Sequence, residues 1–154
     1  MNQYSQVKIL IVDDIEDMRN IVRRLLLAMG FGKVHVARNG LEALNLLRSF
    51  PIDIVVCDWN MPKMSGRELL EAVRGDPNLW LIPFIMLTGE NSEQQVKSAV
   101  AAGVTDFIVK PFKASTLEHR LGLILNSATL PDAPESPSTE RNAPSNARNA
   151  NQAQ

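Results

Sequence analysis

The sequence predicts an α/β domain with a doubly wound, five-stranded parallel sheet, and two observations carry that prediction. Short apolar runs recur five times, at 7–12, 34–37, 52–57, 82–87 and 104–109. After each run comes a segment whose apolar residues repeat at helical spacing. A strand followed by a helical crossover returns the chain in its original direction, so such units build a parallel sheet with helices on its faces.

The first run, Val7-Lys8-Ile9-Leu10-Ile11-Val12, is nearly all apolar, as a strand covered on both faces requires. Ile21, Val22, Leu25, Leu26 and Met29 then line one face of a helix, and Gly30 stops it. The second run, Val34-His35-Val36-Ala37, is short. Asn39-Gly40 opens a second helix marked by Leu41, Leu44 and Leu47. The third run, Ile52-Asp53-Ile54-Val55-Val56-Cys57, is rich in β-branched residues. Leu69, Leu70 and Val73 mark a third helix after Gly66. Following the fourth run, Val96, Val100 and Ala101 mark a helix closed by Gly103. Beyond the fifth run and Pro111, Leu117, Leu121, Ile124 and Leu125 mark the last helix. Five units wound this way favour the strand order 2-1-3-4-5, the flavodoxin-like arrangement. That order sets strands 1 and 3 side by side at the switch point where open α/β sheets bind ligands.

The chain has 154 residues, 45% hydrophobic and 21% charged, enough for one domain with one core. Its net charge of -1 gives no bulk attraction to nucleic acid or an anionic membrane. The one cysteine, Cys57, lies inside a buried strand, so no disulfide framework forms within the chain. No apolar run approaches the roughly 18 residues of a membrane span. The start, Met1 to Gln6, lacks the basic and apolar stretches of a secretory leader, and a reducing cytoplasm is the expected location. Residues 6–127 are read as the folded domain. From 128 to 154 the chain turns to Pro, Asn, Ser and Ala, with Leu130 the only large aliphatic, and a disordered tail is expected.

The strand ends carry the chemistry. Asp13 and Asp14 close the first run, Asp58 the third, Thr88 the fourth and Lys110 the fifth. A lone acid at a strand–helix junction is most simply a helix cap or turn former. An acidic pair facing a third acid is different. Two unit charges about 4 Å apart repel by roughly 4 kcal/mol at an effective dielectric near 20. A marginally stable domain needs countercharge there. Lys110 supplies one positive charge, and Mg²⁺, a cation that takes oxygen ligands, suits the rest. An ionised Asp58 so placed reads as a nucleophilic carboxylate that accepts a phosphoryl group, with Lys110 and Thr88 available to its oxygens. On periodicity alone Phe107 is core. The chain has no phosphate-cradling glycine-rich loop after the first strand, so nucleotide and flavin binding are not expected.

Val12-Asp13-Asp14, Met18-Arg19, Asp58-Trp59-Asn60-Met61-Pro62, Thr88 and Val109-Lys110-Pro111-Phe112 together resemble response-regulator receiver domains, in particular the stand-alone chemotaxis receivers. The resemblance covers about residues 6–127. It implies that Asp58 is phosphorylated by a histidine kinase or a small phosphodonor. It further implies that Asp13, Asp14, Asp58 and the Asn60 backbone carbonyl hold Mg²⁺, and that Lys110 contacts the phosphoryl group. Thr88 and Phe107 are implied as the switch, with the face made by helix 4, strand 5 and helix 5 as the output surface. Asn60 and Glu90 flank the site and are implied to modulate dephosphorylation. The implied protein is a monomer that binds a downstream protein, such as the flagellar motor switch. Phe107 stands where chemotaxis receivers typically carry tyrosine, and Gly89 where they carry a small Ala or Ser. Two other readings stay open: the receiver half of a longer regulator, and a hydrolase with an aspartyl-phosphate intermediate, resembling the haloacid dehalogenase superfamily.

Overall fold

The computed structural model describes residues 3–89 and 92–129. Five strands, β1 (Lys8–Val12), β2 (Lys33–Ala37), β3 (Ile54–Asp58), β4 (Phe84–Thr88) and β5 (Asp106–Val109), pair in parallel in the order β2-β1-β3-β4-β5. The predicted fold class and strand order are both borne out. Helices α1 (Glu16–Ala28), α2 (Gly40–Ser49), α3 (Gly66–Arg74) and α4 (Glu93–Ala102) connect successive strands, and α5 (Ala114–Thr129) follows the last. The chain divides into two units, Met1–Arg120 and Leu121–Gln154. The first holds the sheet, α1 to α4 and the opening of α5. Of the second, only the remainder of α5 is described. The first two residues of the expected tail, 128 and 129, lie within α5, and its residues 130–154 lie outside the described residues.

The pleat sorts each strand into two sets of side chains. Leu10, Val12, Val55, Cys57, Phe84 and Met86 form one buried cluster with Leu44 and Leu47 of α2 and Leu69, Leu70 and Val73 of α3. Ile9, Ile11, Ile54, Val56 and Ile85 alternate with them and are also fully or almost fully buried. Helix α1 packs against β1 and β2 and buries Val22 and Leu26. Each such side chain contributes about 1.5–3 kcal/mol on leaving water, so the stable centre is β1, β3 and β4. Edge strand β2 buries only Ala37 fully. The ends of β1, β3 and β4, where Asp13, Asp58 and Thr88 lie, therefore project from this buried centre, and Lys110 follows the less buried β5.

Caps fix where the helices begin. The Asn39 side chain accepts from Glu42 N–H, and Ser65 and Glu68 form a reciprocal capping box. Ser92 caps α4 by accepting from Gln95 N–H. Each cap contributes about 1 kcal/mol. Among the described residues no helix is long and apolar enough to cross a membrane.

Two elements depart from the sequence reading. Strand β5 begins at Asp106 rather than 104, because Thr105 is used as a brace. Its N–H donates to Phe84 O and its hydroxyl accepts from Phe84 N–H, both at 2.9 Å. Helix α4 buries Ala99, whereas Val100 is 66% exposed and Ala101 is exposed too. Of the three residues that mark this helix in the sequence, only Val96 is even half-buried. Arg74 ties the end of this helix to its surroundings, donating from Nε to Gly103 O and from Nη1 to Ile82 O at 2.8 and 2.7 Å. Gly103 takes the left-handed conformation, φ 92°, that ends α4.

Candidate functional site

Parallel pairing aligns the ends of β1, β3, β4 and β5 along one rim. Val12 lies opposite Cys57, Asp58 opposite Leu87, and Thr88 opposite Val109. Asp58 and Thr88 are the last residues of their strands, while Asp13 and Lys110 are the first residues beyond theirs. Backbone bonds continue past the regular ladder. Asp13 N–H donates to Ala37 O at 3.1 Å, Trp59 N–H to Leu87 O at 2.9 Å and Lys110 N–H to Thr88 O at 2.6 Å. These bonds hold the reactive side chains at fixed positions.

Asp13, Asp14 and Asp58 each offer a carboxylate oxygen, and those atoms lie within 4.8 Å of one another. Asp13 and Asp58 are buried and Asp14 is exposed. Lys110 Nζ donates to Asp58 Oδ1 at 2.7 Å. Three carboxylates and one ammonium leave a local excess of negative charge. Burial lifts the Asp13 carboxyl above the ordinary carboxylate range, the Ile15 N–H opposes that lift, and repulsion from Asp58 adds to it. The candidate ligand atoms among the described residues are carboxylate oxygens, and that of Asp13 is buried at a cost to its charged form. This arrangement fits a hard divalent cation such as Mg²⁺, which takes one or a few carboxylates and keeps several waters.

The capping alternative for the acidic pair does not hold. The N-cap of α1 is Ile15, with no side-chain cap bond. Asp13 Oδ1 accepts instead from Ile15 N–H at 2.9 Å, within the loop before the helix. Its backbone carbonyl accepts from Arg19 Nη1 at 2.8 Å. Neither Asp13 nor Asp14 is used to start the helix, so their charges remain available to the cluster.

Thr88 is fully buried, and its hydroxyl donates to Gln95 Oε1 of α4 at 3.2 Å. Phe107 is half-buried and packs against the α2–α3 side of the core. Its ring meets Trp59 edge-on, with centroids 6.3 Å apart. Asn60 is exposed, two residues beyond Asp58. Glu90 lies outside the described residues. Cys57, next to Asp58, is no competitor as a nucleophile: burial pushes its thiol well above its usual range, and it donates to Asp58 O at 3.1 Å.

Two contributors escaped the sequence reading. In the sequence Gly66 only precedes the third helix, yet a Cβ there would lie 2.8 Å from Met86 Sδ and 3.0 Å from Trp59 Cα, and would collide with Asp58 O. The missing side chain lets α3 start directly beneath the acid, with Gly66 N–H donating to Trp59 O at 2.7 Å. Gln95 gave no signal, because its partner lies seven residues earlier on a different element.

Residues 9–122 match the family model described as the response regulator receiver domain. The chain is 47% identical over 120 residues to chemotaxis protein CheY-3 of Vibrio cholerae, covering 78% of this chain and 92% of that one. It is 44% identical over 115 residues to chemotaxis protein CheY of Pseudomonas aeruginosa, covering 75% and 93%. Among solved structures, chemotaxis response regulator CheY4 of Vibrio cholerae superposes with a TM-score of 0.72 at 36% identity, covering 77% of this chain and 98% of that one. A Francisella response regulator receiver domain superposes with a TM-score of 0.74 at 27% identity, covering 80% and 100%. The match over residues 9–122, most of the chain, makes this protein a member of the response-regulator receiver family.

Proposed function

We propose that Asp58 is the phosphoryl acceptor of a Mg²⁺-dependent switch, charged by a histidine kinase or a small phosphodonor. Family membership makes the chain a phospho-accepting domain of two-component signalling. The observation that carries the finer reading is Lys110 Nζ, 2.7 Å from Asp58 Oδ1, at the edge of a three-carboxylate cluster. In transfer, an Asp58 carboxylate oxygen bonds to phosphorus. The bond from phosphorus to the donor's imidazole nitrogen, or to the acetate oxygen of acetyl phosphate, breaks, and the leaving group keeps the electron pair. Lys110 is already seated on the acceptor carboxylate, where its charge faces the oxygens of the transferring group. Thr88 donates its hydroxyl to one of those oxygens. Asp13, Asp14 and Asp58, with the backbone carbonyl of Asn60, are the residues we assign to Mg²⁺. When bound, the ion supplies positive charge beside the transferring group.

Asn60 and Glu90 set how fast the phosphoryl group is lost. Phe107 follows Thr88 inward and alters the surface carried by α4, β5 and the opening of α5 up to Arg120. Without a phenolic hydroxyl, Phe107 transmits through packing, which its edge contact with Trp59 supports. Asp106 and Arg120, joined at 2.6 Å, brace β5 on that surface. The chemotaxis proteins among the relatives support a cytoplasmic role in chemotaxis or motility, and the downstream target in this reading is a protein such as the flagellar motor switch. The test is incorporation of label from acetyl phosphate with Mg²⁺. Wild-type protein should be labelled and Asp58→Asn should not; equal labelling of the variant would remove Asp58 from the acceptor role.

A further inference from the structure

We propose that Gln95 is a positioning residue that competes with the phosphoryl group for the hydroxyl hydrogen of Thr88, and so ties the first turn of α4 to the unphosphorylated site. The inference deepens the phospho-receiver reading and rests on it. A threonine hydroxyl carries one hydrogen. Here that hydrogen is given to Gln95 Oε1, 3.2 Å away. A phosphoryl oxygen on Asp58 needs the same hydrogen, so the two bonds exclude each other.

The geometry makes the competition a link between elements. Thr88 is fully buried, and its backbone carbonyl is held by Lys110 N–H at 2.6 Å, so its hydroxyl can rotate but its backbone is fixed. Gln95 is the third residue of α4, and its own N–H is held by the capping Ser92 Oγ at 3.1 Å. The Thr88–Gln95 bond therefore joins the rim of β4 to the capped first turn of α4. When Thr88 turns to the phosphoryl group, that turn loses a tether.

A cavity of about 290 Å³, lined by Trp59, Ser92, Gln94, Gln95 and Ser98, lies beside the bond. It gives the released amide room to rotate and meet water. The cost of leaving Gln95 Oε1 without Thr88 is therefore small, and the competition is mild enough for phosphorylation to win.

The test is a double-mutant cycle read by calorimetric titration of beryllofluoride, which stands in for the phosphoryl group on Asp58, at saturating Mg²⁺. Gln95→Met and Gln95→Ala should each bind beryllofluoride about 2- to 10-fold more tightly than wild type, the worth of one net hydrogen bond. In a Thr88→Val background, which has no hydrogen to compete for, the same substitutions should change affinity less than about 1.5-fold. Unchanged affinity of both Gln95 variants in the wild-type background would overturn the inference. So would an equal change in both backgrounds, because Gln95 would then act by another route. If wild-type protein bound no beryllofluoride at all, the phospho-receiver reading would fall, and this inference with it.

Discussion

Removing one charge from the carboxylate cluster should stabilise the metal-free protein while weakening its response to Mg²⁺. Asp13→Asn is the suitable change, because an amide oxygen can still accept from Ile15 N–H, 2.9 Å from Asp13 Oδ1. At the 4.8 Å limit of the cluster, one carboxylate pair repels by about 3.5 kcal/mol at an effective dielectric near 20. Lys110 offsets part of this and the exposure of Asp14 screens more, which leaves about 1–2 kcal/mol of relief. For a domain of this size the melting temperature should rise by about 3 to 8 °C in chelator. Wild-type protein should gain about 1.4 kcal/mol when Mg²⁺ is ten times its dissociation constant, and the variant should gain much less. The pH dependence gives an internal check. The folded-state pKa of Asp13 is raised, so its contribution to stability is fully present below the unfolded value of 3.8 and is lost as pH rises through the folded value. The stability gap between variant and wild type should accordingly be wide at neutral pH and close toward pH 3.8. Calorimetric melts with and without Mg²⁺ read both effects. A variant less stable than wild type in chelator, or one with an undiminished Mg²⁺ shift, would refute the electrostatic account of the cluster.

Lys110→Ala leaves the Asp58 carboxylate without its partner; since the Lys110 side chain is 22% exposed, the expected loss in metal-free stability is about 2 kcal/mol. Denaturant midpoints measure it, and an unchanged midpoint would show the pair to be idle. Gly66→Ala should cost about 1–3 kcal/mol through overpacking against Met86 Sδ and the Asp58 carbonyl. Urea titration at fixed slope reads that loss, and a neutral substitution would mean the helix start can move. Trp59 sits next to Asp58 whereas Trp80 is 53% exposed, so Trp80→Phe should keep the fluorescence response to Mg²⁺. Loss of the response in that variant would place the ion elsewhere.

Much of the strand-end cluster is legible because strand ends announce themselves. A β-branched run that stops at an acid, as at Val55-Val56-Cys57-Asp58, fixes both a buried strand and a charged group on its rim. Parallel order then brings Asp13, Asp14, Asp58 and Lys110 together without any further information. What stayed hidden depends on contacts between elements. Helix α4 is built from Ala, Gln and Ser with few large apolar residues, so its pattern could not show that Ala99 is buried and Val100 exposed. The apolar run 104–109 includes Thr105, whose hydroxyl takes the Phe84 N–H, so the regular strand starts one residue later. Gly66 marks only where the third helix follows until the neighbouring Asp58 carbonyl and Met86 are seen. Gln95 is an ordinary polar helix residue until Thr88 is found opposite it.

Reductive trapping decides whether Asp58 itself forms the acyl phosphate. Protein treated with acetyl phosphate and Mg²⁺, then reduced with borohydride, converts an aspartyl phosphate to homoserine. Peptide mass mapping should find homoserine at position 58 and intact aspartate at positions 13 and 14. Homoserine at either of those positions, or at none of the three in protein that carries phosphoryl label, would contradict the account.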